Sequence, residues 1–241
     1  MNIKTAMKTI GNLSDTSKMP CRSYSIPAYL CKLGSKLRKI KGSVCHDCYA
    51  QAGSYNWSNV ERALAMRNEL MSTATRNPKF RKQFIESFVY LLTRNEKKTA
   101  SWGDPSFFRW FDSGDLLSMA HLDIIHDIAL QTPNVMHWLP TREFSLIKKY
   151  CESNRPALDN LTIRLSCNMI GDEAPKAYHR LRDAHPDRRI TFSSSHTKRH
   201  EAPEGFTECT ADLHKNECND CRLCWTLTPI SYKFKVKRAA A

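Results

Sequence analysis

The chain has 241 residues, enough for one large domain or a domain with a small appendage. Its apolar content of 41% supports a packed core, and no run of about 18 apolar residues exists to span a membrane. The net charge of +13, from 37 Lys and Arg against 24 Asp and Glu, suits a polyanionic partner, nucleic acid first, although basic loops are also ordinary solvated surface.

Met1-Asn2-Ile3-Lys4 opens no apolar stretch of signal-peptide length, so the expected compartment is the cytoplasm. There the 10 cysteines stay reduced, and clustered ones read as metal ligands rather than disulfides. Residues 1–20 are polar, with Thr5, Lys8, Asn12, Ser14, Asp15 and Ser17, and read as an extended lead-in. From Cys21 to Cys48 the chain reads as a basic loop broken by Pro27, Gly34 and Gly42, carrying Cys21, Cys31, Cys45 and Cys48 as C-x9-C-x13-C-x2-C. Cys31, Cys45 and Cys48 could hold a 4Fe-4S cube with one iron left open for a small molecule; adding Cys21 would close the site. Zinc, on the four cysteines or with His46, is the alternative metal.

Val60, Ala63, Leu64, Leu70 and Met71 recur at helical spacing. Asn77-Pro78 then starts a second helix with the stripe Phe80, Phe84, Ile85, Phe88, Leu91 and Leu92. Beyond Gly103-Asp104-Pro105 strands and helices alternate. Residues 107–111, 135–139, 161–166 and 189–192 read as buried strands, and the helices between them carry Leu122, Ile125, Ile128 and Ala129, then Phe144, Ile147 and Cys151, then Ala174, Ala177, Tyr178 and Leu181. Four alternations joined by helix-length crossovers predict an α/β protein with a parallel sheet, open or curled into a partial β/α barrel.

In such folds ligands collect at the C-terminal strand ends. Here those ends are Asp112/Asp115, Thr141/Arg142, Cys167/Asn168 and Ser194/His196. Asp112, Asp115 and Arg142 are the candidates for holding a substrate, with Asp115 or Ser113 as the cap of the next helix. His137 and His196 read as structural. No G-x-G-x-x-G follows a strand and no Walker loop is present, so a nucleotide-phosphate cradle is not supported.

Cys218, Cys221 and Cys224 form a C-x2-C-x2-C run, with Cys209, eight intervening residues upstream, as a fourth thiolate. That spacing favours an iron–sulfur cluster over zinc, which more often uses separated C-x2-C pairs. One cluster or two, or both cysteine groups converging on one, are compatible with the spacing. The expected organisation is an α/β partial barrel over 1–200, with its cysteine-rich loop at 21–48, and a cluster-binding tail over 201–241. The closing Ala239-Ala240-Ala241 adds no chemistry.

Several blocks carry a resemblance: Lys18-Met19-Pro20-Cys21 with Ser25-Ile26-Pro27-Ala28, Cys45-x2-Cys48-Tyr49-Ala50, Phe108-Arg109-Trp110-Phe111-Asp112-Ser113-Gly114-Asp115, Trp138-Leu139-Pro140-Thr141-Arg142-Glu143, Cys218-x2-Cys221-Arg222-x-Cys224-Trp225 and Ser231-Tyr232-Lys233. Together they resemble the gene product 88 family of bacteriophage proteins. The resemblance implies a phage origin, and hence the infected host's cytoplasm, rather than a particular activity. In architecture the chain is also similar to radical S-adenosylmethionine enzymes with an auxiliary cluster. That superfamily places C-x3-C-x2-C on one short loop, whereas here 13 residues separate Cys31 from Cys45. Asp112, Ser113, Gly114 and Asp115 fall where it contacts the cofactor amine, in place of its usual Gly-Gly-Glu. The expectation is therefore an iron–sulfur protein with radical or redox chemistry on a small-molecule or nucleic-acid substrate. The alternative is a zinc-stapled nucleic-acid-binding module without catalysis.

Overall fold

The computed structural model describes residues 1–16, 18–94 and 103–234. Ser17 and the closing alanines, both part of the sequence reading, lie outside the described residues.

The N-terminus departs from the extended lead-in. Ile3–Ile10 is a helix, α1: the Asn2 side chain accepts from Thr5 N, and Gly11 closes the helix at φ 78°. Ile3, Ala6, Met7 and Ile10 share one face, and Ala6 and Ile10 are fully buried. The basic loop is also more ordered than expected. It holds a short strand, β1 (Arg22–Tyr24), a 3-10 turn at Ala28–Leu30 and a short helix, α2 (Lys32–Leu37), and is followed by 3-10 turns at Tyr49–Gln51 and Gly53–Asn56.

The two apolar stripes become α3 (Ser58–Arg76) and α4 (Pro78–Thr93), with the Asn77 side chain capping α4 through Phe80 N at 3.1 Å. The alternation then follows the expected order: β2 (Phe107–Trp110), α5 (Met119–Gln131), β3 (Met136–Thr141), α6 (Phe144–Cys151), β4 (Leu161–Ser166), α7 (Lys176–Ala184) and β5 (Ile190–His196). Two short strands follow, β6 (Thr207–Glu208) and β7 (Ile230–Lys233). The chain is thus an α/β protein with one seven-stranded sheet, ordered β1-β2-β3-β4-β5-β7-β6, in which every named pairing is parallel.

The two faces of this sheet differ in chemistry. Tyr24, Phe108, Trp110, Leu139, Ile163, Leu165, Ile190 and Phe192 point into the apolar core shared with α1 and the helices α3 to α7. Alternation puts their neighbours on the other face. There Ser23, Arg109, Trp138 and Thr162 are successive register partners across four strands, and Pro140, Arg164 and Thr191 form the next row. This second face is covered by the chain's last segment rather than by helices. Trp225 and Cys224 pack there with Cys21, Trp138 and Ile230.

Arg164 is the peg that holds that cover. The side chain is 0% exposed and donates to the carbonyls of Phe192 (3.2 Å), Leu223 (3.2 Å), Cys224 (3.4 Å), Thr226 (2.9 Å) and Thr228 (2.9 Å). Thr162 Oγ1 donates to the Trp225 carbonyl at 2.8 Å, Thr191 Oγ1 to the Leu227 carbonyl at 2.8 Å, and Trp225 Nε1 returns a bond to the Phe108 carbonyl at 2.9 Å.

Candidate functional site

The basic loop closes over the C-terminal ends of β2, β3 and β4. Leu33 N, in the first turn of α2, donates to Glu143 Oε1 at 3.1 Å, Val44 N to the Asn168 carbonyl at 3.0 Å, and Ile170 N to the Gly42 carbonyl at 3.0 Å. These bonds hold Cys31, Cys45 and Cys48 above the strand ends. Gly34 makes the approach possible: a Cβ there would lie 3.0 Å from Cys31 Cβ, 3.6 Å from Cys45 Sγ and 3.8 Å from Cys31 Sγ. The three cysteines share one electrostatic environment with Asp115 and Arg142. Burial pushes the Cys31 thiol up to about 12, with Asp115, Cys48 and Cys45 adding to the shift and Arg142 opposing it. Burial raises Cys45 as well, again against Arg142.

Beneath the cysteines, the turn after β2 is built tightly. Phe111 leaves the strand at φ 52°, a left-handed conformation that a bulky residue rarely adopts, and so turns Asp112 toward β1. Asp112 Oδ1 accepts from Ser25 Oγ and from Ser23 Oγ at 2.6 Å, and its Oδ2 from Tyr55 OH at 2.8 Å. Tyr49 OH donates to the Asp112 carbonyl. Ser113 Oγ donates to the Ile26 carbonyl at 3.1 Å. Gly114, at φ 85°, admits no side chain: a Cβ would stand 2.4 Å from Ile26 Cγ1 and 2.7 Å from the Ile26 carbonyl oxygen.

Asp115 is a tie rather than a cap. Its Oδ1 accepts from Thr141 Oγ1 at 2.6 Å and Leu116 N at 2.7 Å, and its Oδ2 from Arg142 N at 3.0 Å, so it fastens the β2 loop to the end of β3. Burial raises its pKa against those three donors. The expected cap at Ser113 or Asp115 is displaced to Ser118, whose Oγ accepts from His121 N at 3.3 Å, because the chain runs extended through 116–118 before α5 begins. Arg142 Nε donates to the Cys167 carbonyl at 3.1 Å, and among the described residues its two terminal nitrogens make no hydrogen bond.

Cys21 does not join Cys31, Cys45 and Cys48. It is buried with the tail cysteines, next to Cys218. Cys218 N donates to the Lys18 carbonyl at 3.1 Å, which ties the tail loop to the segment before β1. Cys209, Cys218, Cys221 and Cys224 influence one another electrostatically, with Cys221 exposed and Cys224 buried. Burial pushes Cys224 up to about 12 against a contact with Tyr232 OH at 3.4 Å and the charge of Arg164.

Neither thiol group is closed on a point. Among the described residues no three His, Cys, Asp or Glu side chains converge as ligands of a single metal ion. His46 turns its Nδ1 to the Arg38 carbonyl at 3.0 Å. Of the remaining cysteines, Cys151 and Cys167 lie in the apolar core. His137 sits between Trp110 Nε1 (3.2 Å) and Thr132 Oγ1 (2.8 Å), and His196 Nδ1 meets Ser231 Oγ at 2.7 Å.

Arg109 lies between the Asp112 turn and the tail cysteines, and residue type alone does not mark it as a site residue. It lies over the Trp138 ring at 4.5 Å, and its Nε is buried without a hydrogen-bond partner. Burial works to lower its pKa, yet Tyr49 and Asp112 on one side and Cys224 and Tyr232 on the other raise it overall. Among the described residues neither Arg109 nor Arg164 has a carboxylate within ion-pair distance, unlike Arg222, which reaches Asp104 at 3.3 Å. A cation inside the aromatic run Phe107-Phe108-Arg109-Trp110-Phe111 was the available signal. Ser23 and Ser25, alternating with buried Tyr24 and Ile26, were another.

With this geometry in view, the comparison with known families is decisive on one point. Gene product 88 matches residues 2–228. The chain belongs to the gene product 88 family. The match spans both cysteine groups, the Asp112–Asp115 turn and Arg142, so these features lie within the family's own extent. No curated protein and no solved structure matches the chain. Among the described residues no helix is long and apolar enough to cross a membrane.

Proposed function

We propose that this member of the gene product 88 family is a phage-encoded iron–sulfur protein built on a partial β/α barrel. One cluster sits in the tail on Cys209, Cys218, Cys221 and Cys224. A second sits on Cys31, Cys45 and Cys48 and leaves one iron open above the strand ends.

Two observations support the barrel. Strands β1 to β5 follow one another in sequence order, and right-handed crossovers then place all helices on one face of the sheet. Cys21, which precedes edge strand β1, and Cys209, which follows edge strand β6, belong to the same apolar group. The edges of a flat seven-stranded sheet would lie about 29 Å apart at the usual strand spacing, so a group that reaches both edge regions favours a curled sheet over a flat one.

The observation that carries the metal reading is the seating of Cys31, Cys45 and Cys48 directly over the polar C-terminal strand ends. The donor set fits a cluster. Tetrahedral zinc needs its thiolates about 3.8 Å apart, given Zn–S bonds of about 2.3 Å. A cube binds each thiolate to a different iron and so holds them farther apart than one zinc ion does. A cluster carried by thiolates is anionic, and Arg142 beside the upper cysteines, with Arg109 and Arg164 beside the tail, would offset that charge. When bound, it supplies one-electron chemistry at the open iron.

The chain's own residues divide the rest of the work. Asp112 and Asp115 have their oxygens engaged by hydroxyls and backbone N–H groups, so they hold the walls of the site in register. Arg142, with free terminal nitrogens, is the group to receive an anionic part of a substrate or the carboxylate of S-adenosylmethionine.

The test is anaerobic purification followed by an absorption spectrum and assays of iron, sulfide and zinc on one sample. A broad shoulder near about 400 nm with matching iron and sulfide is expected, followed by a spectral change on adding S-adenosylmethionine. A colourless protein with stoichiometric zinc would overturn the proposal in favour of a zinc-stapled module.

A further inference from the structure

The layer that carries Cys31, Cys45 and Cys48 also exposes an unusual set of side chains. Tyr29, Tyr49 and Trp57 are 64%, 60% and 63% exposed, among the most exposed large apolar residues described. Each sits beside a tight turn, not on an apolar helix face. They form one layer: Ser35 Oγ in α2 donates to the Tyr29 carbonyl at 3.4 Å, and the Tyr49 ring meets the Tyr55 ring at 5.9 Å, two residues before Trp57. Between them α2 and its following turn present Lys32, Lys36, Lys39 and Lys41, all exposed. Residues 27–57 hold five Lys and Arg and a single acidic residue, Asp47.

We propose that this layer binds single-stranded nucleic acid across the mouth of the strand-end site, which makes a nucleic acid the substrate class of the open iron. The inference rests on the iron–sulfur reading for the identity of the site, but not for the binding itself. Lysines neutralise phosphates, and separated exposed rings on turns stack on unpaired bases, which a duplex presents only at its ends. An anionic membrane would also attract the charge, but membrane-surface binding uses a continuous apolar helix face, and α2 has only six residues.

The experiment is fluorescence anisotropy of labelled 20-nucleotide single-stranded DNA and RNA, and of the matching duplex, with the full-length protein. Single strands should bind more tightly than duplex, with affinity falling as salt rises. Tyr29→Ala and Trp57→Ala should each weaken binding by roughly five-fold or more. Lys36→Glu with Lys39→Glu should weaken it further, while Lys79→Glu with Lys82→Glu on α4 should change it little. Iron content should be unchanged in all four variants.

Equal loss from the α4 pair would mean diffuse attraction by net charge and overturn the proposal. So would retained affinity in the double variant Tyr29→Ala/Trp57→Ala. Binding to phosphatidylserine vesicles without binding to nucleic acid, or self-association abolished by the same substitutions, would reassign the surface and overturn it equally. If strands bind but no iron is found, the cluster reading fails and this binding surface stands. Iron without strand binding is the converse.

Discussion

Arg164→Met should release the tail without unfolding the rest of the sheet. The guanidinium is fully buried and holds four tail carbonyls, two at 2.9 Å and two at 3.2 and 3.4 Å. Hydrogen bonds from a charged donor contribute about 1.5–3 kcal/mol each, so the two short ones alone account for roughly 3–6 kcal/mol, and the longer pair adds a little. Methionine matches much of the stem's volume, but it leaves the carbonyls of Leu223, Cys224, Thr226 and Thr228 without that donor. The expected result is an equilibrium denaturation curve in which a tail transition separates from the main one. Hydrogen exchange should speed up across 223–233 first, and if both proposed clusters form, the one in the tail should be lost before the one in the loop. Arg164→Lys, with three donors and no fork, should lie between the two. A one-step melt within about 1 kcal/mol of wild type, with 223–233 still protected, would refute the idea that this side chain fastens the tail.

Three further outcomes follow from the geometry. Gly114→Ala should destabilise by about 3 kcal/mol or more, because it combines a left-handed backbone with a Cβ 2.4 Å from Ile26 Cγ1, and a thermal melt unchanged from wild type would contradict the close approach. Acid should weaken the fold through His137, whose pKa burial pushes down from 6.5 to about 3. The unfolded chain takes up this proton below pH 6.5 while the folded chain does not until about pH 3, so stability is full above 6.5 and falls with pH across that window. At pH 4.5 the loss is about 3 kcal/mol, and His137→Gln, which still offers Trp110 an acceptor and Thr132 a donor, should flatten the profile in urea titrations. Cys45→Ser and Cys221→Ser should each remove about half of the iron if two clusters are present, and loss of all iron from either would mean one shared cluster.

How far the sequence revealed this molecule depended on whether a local pattern could report a long-range contact. The strands at 107–110, 136–141 and 161–166 announce themselves because both neighbours bury them and their residues are apolar in runs. Strand β1 does not, because three residues with a serine in the middle look like loop until Asp112, 89 positions away from Ser23, takes that hydroxyl. α1 is legible in principle: Asn2, Gly11 and an apolar i, i+3, i+4, i+7 face are helix signals, obscured by the lysines and threonines between them. Strand β5 runs on through Ser193-Ser194-Ser195-His196, beyond the apolar 189–192 of the sequence pattern, because Ser231 and its neighbours in β7 supply the pairing that polarity does not announce.

The candidate site divides in the same way. Residue type and spacing identify Cys45 with Cys48, and Cys218 with Cys221 and Cys224, as two chemical groups, since neighbours in sequence must be neighbours in space. They are silent on Cys21, whose partners are set by where the tail packs on the sheet. Sequence distance places Cys21 with Cys31; the fold places it with Cys218, because the tail crosses the second sheet face to reach the start of β1. That same crossing explains Arg109. A cation in an aromatic strand is costly beside a helix-packed core, but Arg109 faces away from that core, between Asp112 and Tyr49 above and the tail cysteines below. Its buried Nε makes no hydrogen bond, and among the described residues no carboxylate lies within ion-pair distance of it, although the charges of Asp112 and Tyr49 favour its charged form. A guanidinium so placed favours the deprotonated form of the thiols on the tail side, Cys21, Cys218 and Cys224.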